Sequence, residues 1–136
     1  MTLIAGEHMR VFIAAYDLKL AKQAKLDLLK AGHTVTSTWH DLTFRRTSES
    51  TSEACRAKAD NNVVEVLRSE CVLVFVPRDL CPGGIYVEVG AAIGIGLPVF
   101  SVGYRPGGLR GNFIMYHSLV SQYATIEGAV QAMEEK

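Results

Sequence analysis

The chain has 136 residues, of which 49% are hydrophobic and 21% charged, with 14 basic residues balancing 14 acidic ones. That size and composition suit one globular domain with a real core and exclude disorder, and a formal charge of zero lacks the basic footprint of a nucleic-acid binder. The same balance favours self-association into a homodimer or higher homo-oligomer over a soluble monomer.

"MRVFIAA" (9–15) is a short apolar run read as a buried strand, and Asp17 after it can cap a helix. "LKLAKQAKLDLLKAG" places Leu18, Ala21, Leu26 and Leu29 near one helical face, with Gly32 as the stop. "HTVTSTW" (33–39) is β-branched and predicts a second strand, and "HDLTFRRTSES" (40–50) predicts a polar loop. Ser50 and Glu53 have capping-box spacing ahead of a long helix ending near Ser69. "CVLVFV" (71–76) is apolar on both faces, as parallel strands are. After the loop "PRDLCPGG", "IYVEVGAAIGIG" predicts a helix rich in small residues, and "PVFSVG" (98–103) a fourth strand. "YRPGGLRGN" (104–112) is a loop, "SLVSQYA" a fifth strand, and "TIEGAVQAMEEK" a closing helix capped by Thr125.

No repeat or linker interrupts this pattern, so residues 1–136 are expected to form one domain. Strands alternating with helices predict an α/β fold, a doubly wound five-stranded parallel sheet of flavodoxin-like or Rossmann-like type in the order 2-1-3-4-5. Ligands of such sheets sit beyond the carboxyl ends of the strands. The three cysteines, Cys55, Cys71 and Cys81, fit no metal spacing. With no signal-like or membrane-length apolar segment, a cytoplasmic protein with reduced thiols is expected.

Two features of "CPGGIYVEVGAAIGIG" (81–96) compete for attention. Gly90, Gly94 and Gly96 fall inside and at the end of the helix, where a dinucleotide fingerprint does not place them, and are expected to let the helix lie close to the sheet. Gly83 and Gly84 sit at the strand-to-helix turn and either admit a ligand to the backbone or only make the turn tight. Glu88, about one turn into the helix, is either a solvated first-turn acid or a carboxylate that the helix end holds ionised for attack on a sugar carbon.

"GGIYVEVGAAIGIGLPV" resembles the signature of the nucleoside 2-deoxyribosyltransferase family and its nucleotide N-glycosidase relatives, Gly-x-x-x-Glu-x-Gly-x-Ala, with Gly84, Glu88, Gly90 and Ala92 in register. "RVFIAAYD", "LLKAGHTVTSTWHD" and "GNFIMYH" resemble, in order, the family's first strand and aromatic loop, its second strand, and its late Asn-x-Phe segment. The resemblance implies that Glu88 attacks C1' and that Tyr16 orients it, where a loop tyrosine would otherwise cap the core. Trp39 and Asp41 fall at the base- and sugar-binding edge; Trp39 would otherwise be a strand-end core residue, and Asp41 a strand terminator. Asn112 matches an asparagine that can reach a neighbouring subunit's site, or caps a loop. The implied ligand is a small nucleoside or nucleotide, without nucleic-acid or membrane partners and without a metal or redox cofactor.

One departure stands out. The family usually carries an aspartate eight residues before an acid at the start of the third strand; here the later acid matches Glu70 and the earlier position is Asn62. Cys55, Ala59, Asn62, Val63 and Val66 share a helical face, so Asn62 interrupts an expected buried stripe. An amide can hydrogen-bond a base but does not supply an acid's proton. Asp41 and Asp79 are candidates for that task. Arg45, Arg46, Arg78, Arg105 and Arg110 lie in loops, able to hold a 5'-phosphate or simply solvated, while Asp17 would repel an anion at the first helix. The expected function is cleavage or transfer at an N-glycosidic bond; the alternative is a non-catalytic nucleotide-binding module of the same fold.

Overall fold

A computed structural model describes residues 8–41, 51–76, 84–103 and 113–135. In chain order the elements are strand β1 (Arg10–Ala14), helix α1 (Leu18–Lys30), β2 (Thr34–Val35), α2 (Ser52–Leu67), β3 (Cys71–Phe75), α3 (Gly84–Gly94), β4 (Val99–Val102), a 3-10 turn (Phe113–Tyr116), β5 (Val120–Tyr123) and α4 (Ile126–Glu134). All strand pairs are parallel and the sheet order is β2-β1-β3-β4-β5, as the alternation of elements predicts.

Alternation of side chains along the strands divides the core into two layers. Val11, Ile13, Cys71, Leu73, Phe75, Phe100 and Val102 pack on one side with Ala21, Ala24 and Leu28 of α1 and Ala129 and Met133 of α4. Phe12, Ala14, Val72, Val74 and Val99 pack on the other with Val66 of α2 and Ile85, Val89 and Ala92 of α3. The sheet is therefore doubly wound. Every residue of β3 is buried, which explains why its sequence is apolar throughout. Burial pushes the Cys71 thiol up to about 12, so it is an inert core residue.

Several local expectations are corrected. In α1 the inward residues are Ala21, Ala24 and Leu28, while Leu26 and Leu29 are exposed. The alanines let the helix pack on β1 and β2, and a leucine count alone misplaces that face. The cap of α2 is Thr51, whose hydroxyl accepts from Ala54 N–H at 3.0 Å; Ser50, the expected cap, lies outside the described residues. A Cβ added at Gly90 or Gly94 would meet no atom within 4 Å, so these glycines do not bring α3 close to the sheet. The 3-10 turn at Phe113–Tyr116 was not foreseen; it buries Met115, whose carbonyl accepts from Gln122 Nε2 at 2.7 Å.

Gly96 does have the role expected of a helix stop. Its φ of 82° lies in the left-handed region, and the N–H groups of Gly96 and Leu97 donate back to Ile93 and Ala92. Gly96→Ala should lower stability by about 1 kcal/mol, seen as a lower urea midpoint; an unchanged midpoint would contradict this account of the stop.

Candidate active site

The first turns of α3 rise from the carboxyl edge of the sheet behind β3, and they carry Glu88. Ile85, Val89 and Ala92 are the buried residues of this helix, and Glu88 lies partly buried between Ile85 and Ala92 in sequence. Burial lifts its carboxyl to about 7, helped by the charge of Glu65 and opposed by that of Lys58. This reverses the expectation that the helix end keeps it firmly ionised. The favourable field of a helix N-terminus fades within the first turn, and Glu88 is the fifth residue of α3.

The neighbouring helix explains the two charges. The inward face of α2 is mostly polar: Lys58, Asn62 and Glu65 recur at i, i+4 and i+7, and Val66 and Glu65 are its fully buried residues. Glu65 accepts from Thr38 N–H at 2.9 Å, from the Thr38 hydroxyl at 2.6 Å and from Asn61 Nδ2 at 3.0 Å. It thereby ties α2 to the segment after β2. Lys58 Nζ and Asn62 Oδ1 on this face are buried with no hydrogen-bond partner among the described residues. Such groups are costly to leave unpaired without a ligand. The apolar residues expected inward are in part outward: Ala59 and Val63 are exposed, as are Val64 and Leu67. A hydrophobic stripe locates a core-facing side, and this side faces a polar site instead.

Strand β2 is two residues long because side chains replace its ladder. Thr36 N–H still donates to Val11 carbonyl at 2.9 Å. Beyond it, Ile13 N–H donates to Ser37 Oγ at 3.0 Å, and Ile13 carbonyl accepts from Trp39 Nε1 at 2.7 Å. Ser37 Oγ in turn lies 2.8 Å from His40 Nε2, and His40 Nδ1 lies 3.2 Å from Asp41 Oδ1. The chain Ser-His-Asp has the order of a hydrolase triad, yet Ser37 and His40 are each 1% exposed and Ser37 Oγ is committed to Ile13. It is a structural network. Burial lowers the pKa of His40, which keeps the ring neutral, donating from Nδ1 to Asp41 and accepting at Nε2 from Ser37. Ser37→Ala strands Ile13 N–H and His40 Nε2 in the core and should cost about 2 kcal/mol, read from the denaturant midpoint; a wild-type midpoint would contradict that value.

The other expected site residues divide as follows. Trp39 packs against both core layers, and its ring donor is used by Ile13, so only the ring surface remains for a ligand. Asp41 accepts from Lys25 Nζ at 2.6 Å; that hydrogen bond chiefly holds its carboxyl below the usual range, which makes it a poor proton donor. Asp17 caps α1, accepting from Lys19 N–H at 2.7 Å and Leu20 N–H at 3.4 Å. Tyr16 follows β1, half exposed, and forms no hydrogen bond to Glu88. Gly84 is the first residue of α3. Glu70 pairs with Arg10 at the opposite edge, accepting from Arg10 N–H at 2.9 Å. Gly83, Asn112, Asp79, Cys81 and the five loop arginines lie outside the described residues. Lys58 and Glu65 were missed; the i, i+4, i+7 recurrence of Lys58, Asn62 and Glu65 was the signal that would have found them. Among the described residues no cluster of three or more potential metal ligands occurs, and no helix is long and apolar enough to cross a membrane.

The sheet order and the two helical layers place the chain in the flavodoxin-like class of doubly wound α/β folds. Solved structures of the same fold include a 2-deoxyribosyltransferase from Bacillus psychrosaccharolyticus, with a TM-score of 0.67 at 19% identity over 89% of this chain and 90% of that one. The CMP N-glycosidase BcmB of Clostridium botulinum matches with a TM-score of 0.61 at 16% identity, over 92% and 98% of the two chains. No protein-family model matches the chain, and a sequence comparison with curated proteins finds no match.

Proposed function

We propose that this protein cleaves or transfers at the N-glycosidic bond of a nucleoside or nucleoside 5'-monophosphate, with Glu88 as the nucleophile at C1'. The observation that carries the reading is Glu88 itself, a partly buried carboxyl on α3 behind β3, lifted to about 7 beside a polar face of α2. Its support from outside the chain is that both a 2-deoxyribosyltransferase and a CMP N-glycosidase are built on this fold.

In the reaction, the Glu88 carboxylate attacks C1' as the bond to the base nitrogen breaks, leaving a glycosyl ester on Glu88. Water or a second base then attacks the same carbon from the face the first base left, and the configuration is retained. A carboxyl near 7 is divided between its two forms at neutral pH, and only the ionised form attacks. The face of Trp39 and the amide of Asn62 would contact the base, and Gly84 would admit the sugar at the start of α3. Asn112, if supplied by a second copy, would complete the site, which fits a homodimer. The exposed apolar residues Val63, Val64 and Leu67 on the outer side of α2 are compatible with a covered surface there.

The test is incubation with a panel of ribo- and deoxyribonucleosides and their 5'-monophosphates, with free base measured by chromatography. Wild-type protein should release base from at least one of them and Glu88→Ala should not. Release that survives in Glu88→Ala would remove the mechanism, and binding without release across the panel would favour a nucleotide-binding module.

A further inference from the structure

The departing base carries away the electron pair of the broken bond, and its charge must be met. Asn62 stands where an acid is expected, and an amide does not protonate. Asp41 is occupied by Lys25 and is held ionised. Among the described residues, Lys58 is a cation on the inward side of α2. Lys58 lies one turn ahead of Asn62 on the same side of α2, and its Nζ is buried without a hydrogen-bond partner.

The depth of the group fits. Helices α2 and α3 both return to the amino edge of the sheet, where β3 and β4 begin. Counted back from Leu67 and Gly94, ideal helical rise puts Lys58 ~14 Å, Glu88 ~9 Å, Asn62 ~8 Å and Glu65 ~3 Å along the two axes. Glu88 therefore falls between the levels of Lys58 and Asn62. Lys58 is the one nearer the carboxyl edge, where ligands of such sheets enter. Its charge reaches Glu88, since it favours the ionised form of that carboxyl. Yet among the described residues the ammonium makes no hydrogen bond to Glu88 or to any other group, so its donors remain for a ligand.

We infer that Lys58 is the catalytic group that meets the leaving base, its Nζ donating to the base atom on which negative charge arrives. The inference rests on Glu88 acting as proposed above. In the first step Glu88 bonds to C1', the C1'–N bond breaks, and a proton passes from the Lys58 ammonium to the base, leaving a neutral amine. In the second step water adds its oxygen to C1', the Glu88 ester bond breaks to restore the carboxylate, and the proton released by water returns to Lys58. The products are the free base and the free sugar, and both side chains end as they began.

The test compares two leaving groups on one sugar. The best nucleoside or nucleotide of the panel is paired with a 4-nitrophenyl furanoside of the same sugar, whose leaving group departs without a proton. With full-length Lys58→Met, kcat/KM on the nucleoside, which reports the first step, should fall by about 10²-fold or more, while kcat/KM on the nitrophenyl furanoside should change by less than about 5-fold. Removing an unpaired buried cation should leave the thermal midpoint unchanged or higher, which separates a chemical defect from a folding defect. Equal loss on both substrates, or no loss on either, would overturn the role of Lys58 while leaving Glu88 in place. A Lys58 acting only by keeping Glu88 ionised would give such equal loss, recovered at high pH. Base release that persists in Glu88→Gln, or its absence in the wild type, would instead overturn the reading on which the inference rests.

Discussion

Glu88→Gln is expected to abolish base release and, above pH 7, to yield a protein more stable than the wild type. The two effects share one cause. The carboxyl is lifted to about 7 from an ordinary 4.5, so the folded state holds its proton more tightly than the unfolded chain does. The stabilisation is fully present below pH 4.5 and is lost as pH rises to about 7. Its size is at most about 3 kcal/mol, from 1.36 kcal/mol for each pH unit of difference. Glutamine is neutral at every pH and lacks this loss. Denaturant midpoints of the two proteins should therefore agree near pH 4.5 and separate by pH 8 in favour of the variant, by about 1–3 kcal/mol. A variant that is less stable at pH 8 would show that the site does not disfavour the charge. On the expected result, the wild type sacrifices stability at its proposed nucleophile, as strained sites commonly do.

The second large effect is on the pH dependence of activity. In the proposed mechanism only ionised Glu88 attacks, so kcat/KM should rise with pH to a midpoint near 7 and lie about 100-fold below its plateau at pH 5. The neighbours set the direction in which this midpoint moves. Glu65→Gln removes a negative charge that raises it, while the amide keeps the side chain's shape and the Thr38 hydroxyl can turn to accept. The midpoint should move down. Lys58→Met removes a positive charge that lowers it, and the midpoint should move up. Both are read from kcat/KM profiles between pH 5 and 9. A Glu65→Gln midpoint at or above the wild-type value would contradict the placement of that charge beside Glu88.

The fold was legible because its signals are strong and local. The apolar run at 71–76 reads as a strand of a parallel sheet, and strand-helix alternation then left few topologies. Thr125 capped α4 as expected, accepting from Gly128 N–H at 3.1 Å. What failed were assignments of faces. Pattern reading assumes that a helix turns its largest apolar residues inward. α1 turns alanines inward and leaves Leu26 and Leu29 outside. α2 turns Lys58, Asn62 and Glu65 inward, where the charges of Lys58 and Glu65 act on Glu88, and Val63, Val64 and Leu67 face out. The end of β2 was overestimated for a different reason: Ser37 and Trp39 satisfy Ile13 with side-chain atoms, and no periodicity records such a bond.

Of the candidate site, one residue was conspicuous in the sequence. Glu88 stood out as a lone acid in an apolar helix, and the structure adds the burial and the Glu65 charge that set its acidity. Its partners on α2 were not legible as a set, because contact between α2 and α3 depends on how the two helices lie on the sheet. The glycines that first drew attention prove less informative: Gly90 and Gly94 border open space, and Gly96 ends the helix.

The most direct measurement is mass spectrometry of the protein after reaction with a nucleoside of the panel bearing fluorine at C2', which slows breakdown of a glycosyl ester. A covalent sugar adduct should form in the wild type, map by peptide digestion to the segment containing Glu88, and be absent in Glu88→Gln. An adduct on another residue, or base release from that nucleoside by the wild type with inversion at C1', would contradict Glu88 as the nucleophile.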